Sequence, residues 1–278
     1  MTEVLTKQAS DNPASYDSYL VAFHEAFRPE LEAAVARYPT SAKTRVLDIP
    51  CGDGFYTALF ARHMRGGELV AGDLSQDYLD RAARRVEAER PRANIRFEKL
   101  DAYHLPFDDE SFDLVWCAQS LISLANPTAA LSEMRRVLRP RGVAAVMETD
   151  EYHHILLPWP VSLELAIHKA IRVASRRRYG SGTKLAQARK LRSTFLAAAL
   201  KPMRKGTITA NREAPFDHAT RTFLIEHFAY LRRLIGRDLA AEDLTRFDRF
   251  TAADGDESFL VSPESELTCL AMIGNARR

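Results

Sequence analysis

Apolar residues recur at helical spacing through "SYDSYLVAFHEAFRPELEAAVARY", residues 15–38, and predict one helical segment ended by Pro39 and the polar run 40–43. From there the pattern alternates. "TRVLDI" reads as a strand and "FYTALFARHM" as a helix closed by Gly66-Gly67. "GELVAGDL" is the next strand, and "SQDYLDRAARRVEAER" the next helix, with Ser75 as its cap and Pro91 beyond it. "NIRFEKLDA" and "FDLVWCAQS" read as strands. "NPTAALSEMRRVLRP" reads as a helix with Asn126 as N-cap, Pro127 in the first turn and Pro140-Arg141-Gly142 as its stop. "GVAAVMETD" is a further strand. Short apolar strands alternating with helices predict an α/β fold, with a mostly parallel sheet covered on both faces.

After Asp150 the rhythm changes. Residues 151–200 read as helices with basic faces such as Arg176-Arg177-Arg178, "RKGTITANRE" as a strand, Asp217 to Phe250 as helices, and "ELTCLAMIG" as an apolar terminal strand. Charge follows the same division. Residues 1–150 hold 18 Lys+Arg against 23 Asp+Glu, residues 151–250 hold 19 against 9, and residues 251–278 hold 2 against 5. A basic insertion can meet an anionic substrate or nucleic acid, or simply be a set of solvated helix faces. The three cysteines lie far apart with no CxxC pair, which points to a reducing compartment. The N-terminal stretch lacks the apolar core of a signal peptide. No run approaches the ~18–20 apolar residues of a membrane span, so the expected location is cytoplasmic and no membrane partner is expected.

The chemistry concentrates in "VLDIPCGDGFYT", Val46 to Thr57. A strand runs into a helix through Gly52 and Gly54, flanked by Asp48 and Asp53. A dinucleotide turn needs a third glycine, and Thr57 stands in its place. A carboxylate at the strand end repels pyrophosphate and favours a cationic ligand, which disfavours a hydride-transferring dehydrogenase. S-adenosylmethionine carries an ammonium and a sulfonium and no phosphate. Asp73 ends the second strand 20 residues after Asp53, where an acid can accept from both ribose hydroxyls. Asp101-Ala102 follows the third strand and suits an adenine amine and ring. Gln119 and Ser120 end the fourth.

These segments in this order resemble the class I (Rossmann-like) S-adenosylmethionine-dependent methyltransferases, near the menaquinone/ubiquinone-biosynthesis-type branch. The resemblance runs from about Tyr16 to Gly142 and continues more weakly through "GVAAVMETD" and the terminal strand. It implies a doubly wound, mostly parallel seven-stranded sheet with a helical cap near the C-terminal strands, and a single methyltransferase domain over 1–278. Within it, 1–40 would be N-terminal helices, 41–150 the cofactor-binding core, 151–258 a basic acceptor-side cap including a strand near 204–211, and 259–278 the terminal strand. The implied cofactor contacts are Asp48, Pro50, Cys51, Gly52, Gly54, Asp73, Leu74, Asp101, Ala102 and Gln119, with Tyr16 as an aromatic over the cofactor. Pro50 and Arg141 depart from the family's usual glycines. Asp48 suits a helix-capping acid as well, and Cys51 suits a small residue in a tight turn.

Methyl transfer from a sulfonium needs alignment first, and a general base only when the acceptor is a hydroxyl or an acidic carbon. Tyr152, His153 and His154 follow the fifth strand and are candidate bases. His227 shares a helical face with Phe223, Leu231 and Leu234, where plain core packing competes with catalysis. Trp159, Phe223, Phe228 and Tyr230 suit an apolar acceptor pocket or the core. Adjacent histidines lack metal-ligand spacing, so no metal is expected. The runs that grip planar amides or adenine amines are absent, and "CAQS" stands in their place. The expected reaction is methylation of a small-molecule acceptor at O, N or C, in secondary or quinone-type metabolism. The alternatives are an RNA methyltransferase that uses the basic insertion, and a non-catalytic cofactor- or partner-binding module. Nucleic acid is the less favoured partner, and a homodimer is the expected assembly to test.

Overall fold

The computed structural model describes residues 13–180 and 184–278, with side chains over 18–180 and 185–278. The first helical segment is two helices, α1 (Pro13–Ala26) and α2 (Arg28–Val35). The reason is Pro29, whose ring opposes the Glu25 carbonyl and has no N–H to give it. The chain then alternates as β1 (Arg45–Asp48), α3 (Phe55–His63), β2 (Glu68–Asp73), α4 (Gln76–Glu87), β3 (Asn94–Lys99), β4 (Phe112–Ala118), α5 (Pro127–Val137) and β5 (Leu138–Thr149). Both expected caps are in place. The Ser75 side chain accepts from the Tyr78 amide, and that of Asn126 from the Ala129 amide, with Pro127 directly after.

Pro140-Arg141-Gly142 is not the end of a helix. α5 stops at Val137, and β5 begins at once because Leu138 already pairs with Phe112. Arg141, in a left-handed conformation at φ 69°, takes up a register shift before Val143 pairs with Leu114. The later elements are β6 (Ile155–Leu156), α6 (Val161–Tyr179), a 3-10 turn (Lys184–Lys190), α7 (Leu191–Ala197), β7 (Lys201–Pro202), β8 (Gly206–Glu213), α8 (His218–Ile235), α9 (Ala241–Phe250) and β9 (Glu266–Arg277).

Two compact units divide the chain. The sheet unit is Leu31–Thr149, Gln187–Ile208 and Ala271–Arg278. Its strands run in the order β3-β2-β1-β4-β5-β9. All neighbours are parallel except β9, which is antiparallel to β5 from Val143↔Arg277 to Thr149↔Ala271. β1, β2 and β4 are near-continuous apolar runs buried on both faces, as strands of a covered parallel sheet must be. The order turns between β1 and β4. Ligands of such sheets bind outside the carboxyl ends of the strands at that point, where Asp48 and Gln119 emerge.

The fold is the expected doubly wound α/β class, with nine strands among the described residues in place of seven. The additional two are the two-residue pieces β6 and β7. Twelve-residue β9 is longer than either, and both pair along it.

The helical unit is the described part of Met1–Glu30 with Asp150–Ala186 and Thr209–Leu270. α1 packs along α8, with Tyr19, Phe23 and Phe27 all within ring contact of Phe223. Arg212 joins the end of α1 to this unit. Its guanidinium donates to both Glu30 carboxylate oxygens and to the Ala26 carbonyl, and it lies 5.4 Å over the Phe27 ring. Trp159 stacks on Phe250 at 4.3 Å. No described helix is long and apolar enough to cross a membrane.

Candidate active site

The glycine turn is fastened at three points. The Cys51 amide donates to the Gly72 carbonyl at 2.8 Å, and the Gly54 amide to the Cys51 carbonyl at 3.1 Å. The Gly52 amide donates to Asp73 Oδ2 at 3.0 Å, while Asp73 Oδ1 accepts from the Ser75 amide at 2.9 Å. Both glycines are needed, for different reasons. Gly52 has φ 53°, and a Cβ built there meets no atom of the described residues within 4 Å, so the space over it is open among them. Gly54 has φ 80°, and a Cβ there would lie 2.5 Å from the Ala82 Cα of α4. One glycine keeps a space clear; the other lets a helix approach.

The three acids of the turn do different work. Asp48 is 1% exposed, and its Oδ2 accepts from Thr57 Oγ1 at 2.6 Å. Thr57, where a dinucleotide turn has its third glycine, therefore ties α3 to the end of β1. Burial, with the nearby Asp73 and Asp53 charges adding to it, pushes the Asp48 carboxyl up to about 7. Asp53 is paired with Arg85 of α4 at 2.6 Å. Asp73 is raised by burial too, but backbone amides of Ser75, Gly52 and Leu74 oppose that shift by holding the charged form.

The other residues expected at the cofactor lie at the ends of the neighbouring strands or in the same turn. Pro50 is half-buried in the turn, and Leu74 is 60% exposed beside Asp73. Cys51 is buried, and burial pushes its thiol far above the ordinary range, so it supplies no thiolate. Asp101 accepts from the Tyr103 amide at 2.9 Å beside buried Ala102. Gln119 has φ 52°, its amide donates to the Met147 carbonyl, and its Oε1 accepts from Tyr56 Oη at 3.1 Å. Tyr16 is in α1, and its side chain lies outside the described residues.

Glu148 was not legible as a site residue. It is buried near the end of β5, and its Oε1 accepts from the Ser120 and Leu121 amides at 2.9 and 2.8 Å. It thereby sets the loop that Gln119 opens. The only sequence signal was an acid closing an apolar strand.

The candidate bases separate by burial within the helical unit. Tyr152 is half-buried, and His153 is exposed with its ring 4.6 Å from that of His168. His154 and His227 are buried, and their rings stand 5.5 Å apart. The described residues hold no cluster of three or more His, Cys, Asp or Glu side chains that could bind a metal.

Residues 46–142 match the family model described as a methyltransferase domain. The segment is a class I, S-adenosylmethionine-dependent methyltransferase domain. That methyltransferase domain contains β1 to the start of β5, and with them the glycine turn, Asp73, Asp101 and Gln119. A methyltransferase of Schizosaccharomyces pombe is 34% identical over 158 residues, 51% of this chain and 56% of the relative. A demethylmenaquinone methyltransferase of Lactobacillus johnsonii is 32% identical over 106 residues, 38% of this chain and 43% of the relative. The chain thus spans about half the length of these curated relatives. A crystal structure of a putative methyltransferase from Bacillus halodurans superposes with a TM-score of 0.57 at 16% identity, covering 88% of this chain and 97% of that one, and shows the shared fold. The open space over Gly52 and the oriented Asp73 carboxylate suit the methyl donor of this class.

Proposed function

We propose that the chain transfers a methyl group from S-adenosylmethionine to a small-molecule acceptor. One observation carries the proposal: the Asp73 carboxylate is held by the Gly52 and Ser75 amides at the margin of the open space over Gly52. Asp73 would take the ribose hydroxyls, Asp101 and Ala102 the adenine, and the Gly52–Gly54 turn the amino-acid end. Asp48 acts on the turn through Thr57 rather than on the ligand. Gln119, fixed by Tyr56 and Met147, would face the reacting end. When bound, the donor supplies a methyl group already activated as a sulfonium. The protein's contribution is alignment and exclusion of water.

Names among the relatives include demethylmenaquinone methyltransferase, so a quinol-type acceptor is the first to test. Calorimetry with S-adenosylhomocysteine checks the reading. Asp73→Ala removes a charged acceptor of two ribose hydrogen bonds and should weaken binding about 100-fold or more. Asp73→Asn keeps one backbone acceptor and should fall between. Tight binding of NAD without uptake of S-adenosylhomocysteine would refute the proposal.

A further inference from the structure

Within the helical unit, α6 (Val161–Tyr179) presents two unlike faces. Its inner face is Leu163, Ile167, Ala170, Ile171 and Ala174, all buried. Its outer face is a stripe at helical spacing: Val161, Leu165, Lys169, Arg172 and Arg176, all exposed and within about 80° of arc. Val161 is 71% exposed and Leu165 64%. The apolar pair heads the stripe and the three cations follow it, over about 22 Å of axis. Single exposed apolar residues are ordinary on a protein surface. Here two share one line with three cations, and helix formation gives no reason for a β-branched valine at an exposed position.

The cations of the stripe differ from other arginines of this unit. Arg177, off the stripe, is paired with Asp238 at 2.7 Å. Arg232 pairs with Asp248, and Arg246 with Asp243. Lys169, Arg172 and Arg176 have no carboxylate partner among the described residues. Glu164 is the one acid of α6, and it is half-buried on the flank of the stripe. α9 brings a further cation to the apolar end, where Arg246 donates to Ser162 Oγ at 3.1 Å. The stripe thus carries charge that folding does not use. A second copy of the chain is a poor occupant, because two such stripes set cation against cation with no acid between them. A nucleic acid backbone would take the cations but has no use for Val161 and Leu165. An anionic phospholipid surface takes both: apolar side chains enter the acyl boundary, while Lys and Arg reach the headgroups along their apolar stems.

We propose that the outer stripe of α6 is a docking surface for an anionic phospholipid membrane. Val161 and Leu165 insert at the headgroup boundary, and Lys169, Arg172 and Arg176 meet the lipid phosphates. The sequence argues against a membrane partner only by span length, which a helix lying on the surface does not need. Each cation contributes about fivefold to partitioning near an anionic surface. The apolar pair supplies the part that salt does not screen. Docking is independent of methyl transfer, since no residue of the stripe belongs to the glycine turn or to the acids around it.

Flotation of the full chain with lipid vesicles tests this. Vesicles of equal parts phosphatidylcholine and phosphatidylglycerol should carry the chain, and vesicles of phosphatidylcholine alone should not. The variant Lys169→Gln/Arg172→Gln/Arg176→Gln should lower the partition coefficient on the mixed vesicles by about 100-fold. Val161→Gln/Leu165→Gln should lower it as well, and should abolish the binding that the wild type retains at high salt. Gln suits an exposed helix position, so both variants should keep the wild-type helical circular dichroism. Should either lose it, the single substitutions Arg172→Gln and Leu165→Gln read the same contributions in smaller steps. Equal binding to both vesicles, binding to neither, or binding that no variant alters overturns the proposal. So does preference for a duplex RNA oligonucleotide over the mixed vesicles, or a dimer in sedimentation that Leu165→Gln dissolves. The variants should take up S-adenosylhomocysteine as the wild type does, so failure of docking and failure of methyl transfer are read separately.

Discussion

At the scale of single residues, the buried acid at the end of β1 has a pH signature. The Asp48 carboxyl lies near 7 when folded, against an ordinary value of 3.8. Between those values the folded chain holds a proton that the unfolded chain has lost, so this group's contribution falls as pH rises from about 4 to about 7. At ~1.4 kcal/mol per pKa unit the effect is a few kcal/mol at most. Asp48→Asn keeps an acceptor for Thr57 and cannot ionise. Its stability relative to wild type should therefore climb across that window, as read by urea unfolding at a series of pH values. His227 works in the opposite sense. Its folded value is about 3 against 6.5, so its contribution is full above 6.5 and declines as pH falls towards 3. The two slopes oppose each other where they overlap, and single variants should unmask each.

The two glycines separate binding from folding. Gly52→Ala projects its methyl into open space, so its folding cost is the left-handed backbone alone, roughly 1–2 kcal/mol. Its larger effect should be weakened uptake of S-adenosylhomocysteine. Gly54→Ala drives a methyl onto the Ala82 backbone and should cost roughly 2–4 kcal/mol of stability. Chemical unfolding and calorimetry on both variants check the contrast.

Among elements, those with a local cause were legible in the sequence. The alternation from β1 to β5, the Ser75 and Asn126 caps and the acids at strand ends all rest on neighbours within a few residues. The sequence reads as one unbroken first helix because the apolar spacing continues across Pro29, and spacing does not register a missing N–H. The sequence pattern starts β5 later than the structure does because Pro-Arg-Gly punctuates a bulged strand here as readily as a helix end. The contact between Tyr19 Oη and His154 Nε2 is invisible in the sequence for another reason: its members stand 135 positions apart, and only packing within the helical unit brings them together. Glu148 belongs with it, since its partners across the loop carry no sequence period. Glu148→Gln keeps the shape and weakens the acceptor of two amides, and should loosen the Ser120–Leu121 backbone. Faster amide exchange at those two positions is the expected reading.

For the whole molecule, each compact unit is assembled from three separate stretches of chain, so neither completes until the last residues join. In the sheet unit the closing piece is the end of β9, which supplies seven partners to β5 from Val143 to Thr149. Asn275 on the same strand accepts from Tyr38 Oη at 2.6 Å. Removing 271–278 exposes a long apolar strand edge, and the expected outcome is loss of amide protection along 143–149 with aggregation on refolding. The charge of the 151–250 insertion reads differently once its partners are known. Arg177 is paired with Asp238, Arg232 with Asp248 and Arg212 with Glu30, while Arg221 donates to the Leu260 and Ala253 carbonyls. These four arginines thus brace helices and loops within the helical unit.

The approach of α4 to the glycine turn also limits how this chain can diversify. Ala82 and Gly54 share one small volume, so neither position can grow unless the helix retreats, and Arg85 on that same helix grips Asp53. Mutational libraries should find these sites changing as a coupled set, while Gly52, with room above it, tolerates replacement whenever ligand uptake is not under selection.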